Sequence, residues 1–365
     1  MDVGIVGLPR SGKTTVFNAV TRGSAQVADF SGQSKPNLGV AKVPDPRLNT
    51  LAEIHKPKRV VAAEVRYADL PPPQEGFGKS RGISGEYLGH LQGTDVLMIV
   101  VRAFTDPSVS HVDDSIDPHR DAETMLLELT FADLETLEKR LSRLADGLKS
   151  AKTAERDAMN KERALLGRLK GRLEDGTAIR NQDLAPEEAK ALAGYRFLTS
   201  KPVIVALNVG EDQLAEAGAM EAEFSGELAS SGASAVVICG MLEMELAQMA
   251  PDDERAFRDS MAVGEPGLDR MVGLSYRVGD LITFFTGDEK EVRAWAVVRG
   301  TEALRAAGRI HSDIERGFIR AEVVSFEDLP RSGSLADARK RGVLRMEGKT
   351  YVIRDGDVIN ILFNV

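Results

Sequence analysis

The 365-residue chain carries a net charge of -9, with 42% apolar and 28% charged residues; this fits a globular protein of two or three domains and excludes a disordered chain or an overall basic nucleic-acid coat. One cysteine, Cys239, and five histidines exclude a disulfide framework and an all-cysteine zinc site and leave little room for a His-rich metal centre. No apolar stretch approaches the roughly 18 residues of a membrane span, and Met1 to Gly4 leads straight into an apolar run without a basic leader, so a soluble, cytoplasmic chain is expected.

Val3 to Val6 reads as a short buried strand. It runs into Gly7-Leu8-Pro9-Arg10-Ser11-Gly12-Lys13-Thr14, the G-x-x-x-x-G-K-[ST] spacing of a phosphate-binding loop. Glycines let backbone N–H groups turn toward a phosphate. Lys13 supplies a mobile positive charge and Thr14 a hydroxyl for Mg²⁺. The helix opened by Thr15 points its N-terminal dipole at the same phosphates. Pro9, Arg10, Ser11, Gly12, Lys13, Thr14 and Thr15 are therefore the candidate nucleotide contacts.

Val60 to Tyr67 alternates as a strand, with Val61, Ala63 and Val65 on one side, and ends at Asp69. Val96–Val101, Val203–Leu207 and Ala235–Cys239 are near-continuous apolar strands, which implies a sheet covered on both faces and a doubly wound α/β domain. Asp69, at its strand end, is a candidate to hold Mg²⁺ through water.

Between the first and second of these apolar strands, Leu134, Leu137, Leu141, Leu144 and Leu148 step by threes and fours, a heptad seam. Ala158, Glu162, Leu165, Leu169 and Leu173 share a face of a following helix, so an antiparallel helical hairpin (a coiled coil) is expected as an insert. From about Gly279, strands at Ile282–Thr286, Val292–Val298, Phe318–Val324, Tyr351–Ile353 and Val358–Val365 are predicted, with Thr301 capping a short helix that ends at Gly308. That pattern describes a small α+β domain.

Four stretches together resemble the YchF/Obg-like ATPase family of P-loop NTPases: Gly4–Pro9 with Gly12–Thr15; Val43-Pro44-Asp45-Pro46-Arg47-Leu48; Ala132–Glu138; and the C-terminal runs Ile282–Thr286, Glu291–Trp295 and Gly317–Val323. The resemblance spans nearly the whole chain. It implies an OBG-type P-loop domain over residues 1–278, interrupted by the helical insert at about 121–198, and a C-terminal TGS domain, a ubiquitin-like β-grasp, over 279–365. It also implies binding of ATP or GTP with Mg²⁺, slow hydrolysis, and association with the ribosome or structured RNA through the insert and the TGS domain.

Several positions depart from that pattern. Where related GTPases read guanine with Asn-Lys-x-Asp, this chain has Asn208-Val209-Gly210-Glu211. The longer Glu211 carboxylate occupies space that a guanine would need, which favours adenine, while the adjacent Asp212 keeps guanine open. Gly240 and Met241, after the strand Ala235–Cys239, are further nucleotide-contact candidates. The run Asp69-Leu70-Pro71-Pro72-Pro73 replaces the usual Asp-x-x-Gly, and Pro72 has no N–H to offer a γ-phosphate. Gln74 stands one step beyond the position of a catalytic glutamine, and Ser34 is the nearby hydroxyl for a metal ligand. Arg10 replaces an asparagine and is a candidate internal arginine finger acting on the phosphates with Lys13. Residues Lys149 to Arg172 hold eight basic and three acidic side chains, +5 within an acidic molecule, a plausible phosphate-backbone contact; Arg331, Arg339, Lys340, Arg341 and Arg345 form a second basic patch. Two other readings stay open: a ribosome- or RNA-binding protein that uses nucleotide only structurally, and a competent GTPase.

Overall fold

The structure, a computed structural model, describes residues 1–23, 36–70, 83, 85–107, 115–260 and 266–364. In chain order the first elements are β1 (Asp2–Val6), α1 (Lys13–Thr21), β2 (Asn37–Lys42), α2 (Arg47–His55), β3 (Arg59–Val61), β4 (Glu64–Asp69), α3 (Gly85–Gly93), β5 (Val96–Arg102), α4 (Pro118–Gly147) and α5 (Thr153–Glu174). There follow α6 (Pro186–Leu192), β6 (Val203–Asn208), α7 (Ala217–Leu228), β7 (Ala233–Ile238), α8 (Gly240–Leu246), α9 (Pro251–Ser260) and α10 (Gly267–Val278). The last are β8 (Leu281–Gly287), β9 (Glu291–Val298), α11 (Ala303–Ile310), α12 (Ser312–Arg316), β10 (Phe318–Ser325), α13 (Asp328–Ser332), α14 (Leu335–Lys340), β11 (Arg345–Glu347) and β12 (Asp357–Phe363).

The chain forms two compact units, one of residues 1–39 and 66–271, the other of 40–65 and 272–365. In the first, a six-stranded sheet runs β2-β4-β1-β5-β6-β7, with β1 parallel to β4 and β5, and β6 parallel to β5 and β7. Every residue of β5 and β6 is buried. Their unbroken apolar runs suit a sheet covered on both faces by helices, the doubly wound α/β arrangement. β1 stands at the centre, so the loop that follows it opens at the C-terminal ends of the strands, where α/β sheets place their ligands.

Helix α4 serves two cores. Ala122, Met125, Leu129 and Ala132 pack into the core beside the sheet, whereas Leu137 and Leu144 join Leu166, Leu169 and Leu173 of α5 in a separate hairpin core. The α5 face keeps Glu162, Leu169 and Leu173 as expected and differs at two positions. Leu166 is fully buried and Leu165 only partly, and Met159 packs where Ala158 was expected. Positions 159, 162, 166, 169 and 173 hold a stricter three–four spacing than the set read from sequence. Glu162 inside this seam accepts from Arg140 Nε at 2.7 Å and Nη2 at 2.9 Å, and Tyr195 donates to it as well. Asp133 anchors the chain's return to the sheet by accepting from Leu198 N–H (2.9 Å), Thr199 N–H (2.7 Å) and the Thr199 hydroxyl (2.7 Å).

The second unit holds a sheet ordered β11-β10-β12-β8-β9-β3. Its core gathers Ile282, Phe284, Val297, Ala306, Ala321, Val323 and Ile359. The single strand expected from Val60 to Tyr67 is two strands. β3 pairs in parallel with β9 of the second unit, and β4 pairs with β1 of the first; the break falls at Ala62-Ala63. Within the second unit Arg47 ties Asp45 (2.7 Å) to Asp355 (2.8 Å), and its guanidinium lies 5.0 Å from the Phe285 ring centroid. Thr301 does not cap α11: its hydroxyl donates back to the Val298 carbonyl at 2.6 Å and Glu302 is the N-cap residue. Gly308 lies inside that helix. Tyr351–Ile353 contributes an isolated bridge from Val352 to Glu302 rather than a strand, and β11 was not legible in advance.

Candidate functional site

Two glycines shape the loop after β1. A Cβ on Gly7 would come within 2.3 Å of the Val100 carbonyl oxygen, and one on Gly12, at φ 87°, within 2.2 Å of Asn208 Nδ2, so neither position admits a side chain. Arg10 also has a positive φ, 64°, without being glycine, a strained conformation of the kind that collects at ligand-binding loops. Its side chain is exposed, and Pro9 is half-buried. Helix α1 starts at Lys13 with no side-chain cap and no acidic residue in its first turn, which leaves its N–H groups and positive dipole end to an anion.

Lys13 is buried, and its Nζ donates to the Gly7 and Leu8 carbonyls, both at 3.0 Å. Burial pushes its ammonium down to about 8, against the pull of the Asp69 negative charge. The Thr14 hydroxyl donates to Asp69 Oδ2 at 2.8 Å, and Asn37 Nδ2 to the same oxygen at 3.2 Å. Asp69 is 1% exposed and its Oδ1 has no hydrogen-bond partner among the described residues. Burial raises its carboxyl above the usual range, against the bonds from Thr14 and Asn37. A buried carboxylate with one oxygen committed and the other open, beside a hydroxyl, suits a hard divalent cation. Thr14 and Asp69 are the residues that would hold one. Ser34 and Gln74 lie outside the described residues, as do Pro71 to Pro73.

Asn208, at the end of β6, is buried and spends its amide within the protein. Its Nδ2 donates to the Ser11 carbonyl at 3.0 Å, and its Oδ1 accepts from Gly240 N–H at 3.0 Å. It therefore locks the phosphate loop to β6 and to the start of α8. Val209 turns its side chain into the core beside the sheet, with its N–H on the Ile238 carbonyl, so its side chain is not available to stack on a base. Glu211 and Asp212 are exposed at the start of a short 3-10 turn, and Met241 is 53% exposed at the start of α8. Thr15 is buried in the first turn of α1.

Two residues of this region had escaped the sequence reading. Asn37 joins Asp69 across 32 positions. Phe104 follows β5, and its ring would lie 3.8 Å from a Cβ on Gly12; Arg102 stacks over that ring at 4.6 Å. Burial lowers the Arg102 guanidinium, and the positive charge of Arg10 adds to the effect. The only advance signal for Phe104 was an aromatic directly after a buried strand.

On the helical insert, Lys149, Arg168 and Lys170 are committed to Asp146, Glu188 and Glu138 with Glu174 respectively. Lys152, Arg156, Lys161, Arg163 and Arg172 are exposed and make no ion pair among the described residues. In the second patch Arg339 pairs with Glu322, Lys340 with Asp337 and Arg345 with Glu347 and Asp357, so that patch offers less free charge than its sequence suggests.

Residues 281–364 match the family YchF-GTPase_C, described as a protein of unknown function (DUF933), and residues 2–131 match a family described as a 50S ribosome-binding GTPase. The chain is 40% identical over 368 residues to "Ribosome-binding ATPase YchF" of Bacillus subtilis, covering 100% of both chains. It is 38% identical to the protein of that name from Escherichia coli O157:H7, covering 99% of each. The solved structure of the Schizosaccharomyces pombe YchF GTPase superposes with a TM-score of 0.86 at 28% identity, over 99% of this chain and 97% of that one. No described helix is long and apolar enough to cross a membrane.

Proposed function

The chain belongs to the YchF family, and from that premise we propose that it is a nucleotide-dependent switch that binds ATP or GTP with Mg²⁺, hydrolyses it slowly and acts on ribosomes in the cytoplasm. The observation that carries this reading is the arrangement at the end of β1: a buried lysine on the phosphate loop, and the Thr14–Asp69 pair with one carboxylate oxygen open among the described residues. The names of the relatives, ribosome-binding ATPases, support the partner.

The loop N–H groups and Lys13 bind the phosphates, with Pro9, Ser11, Gly12 and Thr15 forming the cradle. Thr14 and Asp69 would hold Mg²⁺, whose charge would offset that of the phosphates. Asn208 positions the loop, while Glu211, Gly240 and Met241 border the base. Arg10 acts from the strained loop as an internal cation toward the phosphates. Pro72 lacks the N–H that senses a γ-phosphate in related enzymes, and Gln74 is out of step with a catalytic glutamine; both features favour slow turnover.

Titrating the purified chain with labelled ATP and GTP tests the site. ATP should bind more tightly, because Glu211 replaces the aspartate that reads guanine and Val209 is turned into the core. The same preparation should hydrolyse ATP far below the enzyme median of about 10 s⁻¹. GTP binding more than about tenfold tighter than ATP, about 1.4 kcal/mol, would reverse the base assignment, and turnover near that median would remove the argument from Pro72.

A further inference from the structure

On the surface of the first unit, His119, Glu223 and Glu227 converge so that one ligand atom from each lies within 4.8 Å of the others. His119 is the second residue of α4. The two glutamates stand one turn apart on α7, on one face of that helix. His119 Nδ1 lies 2.6 Å from Glu227 Oε2. The imidazole stacks on Phe224, with ring centroids 4.1 Å apart and planes 25° from parallel. Phe224 is buried in the core beside the sheet, so the imidazole rests on a fixed support.

The charge balance singles this cluster out. Glu221, on the same helix, is paired with Arg270 and accepts the Val237 N–H at 2.9 Å. Among the described residues, neither Glu223 nor Glu227 has a lysine or arginine within 4 Å; His119 is their basic neighbour. Two carboxylates one turn apart repel each other, and a divalent cation between them and the imidazole would offset that repulsion.

We infer that His119, Glu223 and Glu227 form a binding site for a divalent transition metal of the Zn²⁺ class. One imidazole nitrogen and two carboxylate oxygens match the ligand preference of Zn²⁺, Co²⁺ or Ni²⁺, whereas Mg²⁺ and Ca²⁺ favour oxygen-only sets. Three protein ligands leave the fourth tetrahedral position to water. The bound metal clips the root of α4, from which the helical insert extends, to α7, the helix that follows the base-side turn. This site is separate from the Thr14–Asp69 site and does not depend on the nucleotide assignment.

The test uses the full chain, stripped of metal and then titrated calorimetrically with Zn²⁺ in excess Mg²⁺, which keeps the Asp69 site out of the measurement. Co²⁺ absorption gives an independent reading of nitrogen and oxygen coordination. One saturable Zn²⁺ per chain is expected, weakened at least about tenfold by His119→Ala and by Glu227→Gln, together with a zinc-dependent rise in Tm that both variants lose. Should His119→Ala misfold for want of its stacking on Phe224, Glu223→Gln carries the comparison, since that side chain is exposed. Absence of saturable binding, or binding of equal strength in the parent and the variants, would overturn the site.

Discussion

Lys13→Ala should weaken triphosphate binding by at least about 100-fold, about 2.7 kcal/mol. The ammonium sits buried within the loop on the Gly7 and Leu8 carbonyls, and a hydrogen bond to a charged group is worth about 1.5–3 kcal/mol. Its titration makes the assignment more specific. The folded apo value is about 8, against 10.5 for a free lysine, because burial disfavours the charge. Between those values the unfolded chain binds more protons than the folded one, so this group's contribution to stability rises with pH across that window. A bound triphosphate favours the charged form again. Between about pH 8 and 10, nucleotide binding should therefore take up a proton, and affinity should fall with pH by up to about tenfold per unit. Calorimetry in two buffers of different protonation enthalpy measures the uptake directly. Proton-neutral binding at pH 8.5, or a Lys13→Ala variant that binds like the parent, would remove Lys13 from the site.

Arg258→Ala should destabilise the first unit by about 3–5 kcal/mol. The guanidinium of Arg258 is 7% exposed and pairs with Glu243 (Nη2 at 2.6 Å) and Glu254 (Nη2 at 3.1 Å), which are themselves 6% and 8% exposed. Glu243 also accepts the Gly267 N–H at 2.8 Å, and Arg22 reaches Glu254 at 3.0 Å. Removing the arginine leaves two buried carboxylates without their main partner, and the cost is that of an uncompensated charge rather than of one contact. The triple change Arg258→Met, Glu243→Gln, Glu254→Gln should recover most of the loss, because no charge is then stranded. Urea unfolding of the three proteins separates these cases; a loss below about 1 kcal/mol in Arg258→Ala would show that the network is not held as described. Glu243 lies one turn into α8, whose first N–H is bonded to Asn208, so the loosened variant should also bind nucleotide less tightly.

The phosphate loop was legible because its chemistry requires contiguous residues: two close-approach glycines, a lysine and a hydroxyl within eight positions. Asp69 was legible as the polar end of an apolar strand. What bound these parts together was not. Asn37 reaches Asp69 across 32 positions, and Asn208 reaches Ser11 across 197, and no local pattern encodes such pairs. The same reason hid the split at Ala62-Ala63, since alternation in Val60 to Tyr67 fits a strand in either sheet and only the partner strands decide. On α5 both Leu165 and Leu166 are apolar, and only the packing against α4 shows that Leu166 is the fully buried one. The +5 count over Lys149 to Arg172 overstated the free charge because Glu138, Glu188 and Asp146 lie elsewhere in the chain and neutralise part of it.

Fewer basic side chains of the insert are therefore left for the ribosome contact proposed for it. Lys152, Arg156, Lys161, Arg163 and Arg172 remain as exposed cations, and contacts of this kind to nucleic-acid phosphates weaken steeply with salt through counterion release. Co-sedimentation with ribosomes, with and without ATP and at low and high salt, comparing the parent with an Arg156→Glu, Lys161→Glu, Arg163→Glu variant, tests the central claim most directly. The parent should pellet with ribosomes at low salt to an extent that depends on nucleotide, and both high salt and the triple reversal should release it. Pelleting that ignores nucleotide and survives the reversal, or no pelleting in any nucleotide state, would contradict a nucleotide-dependent switch acting on ribosomes through the helical insert.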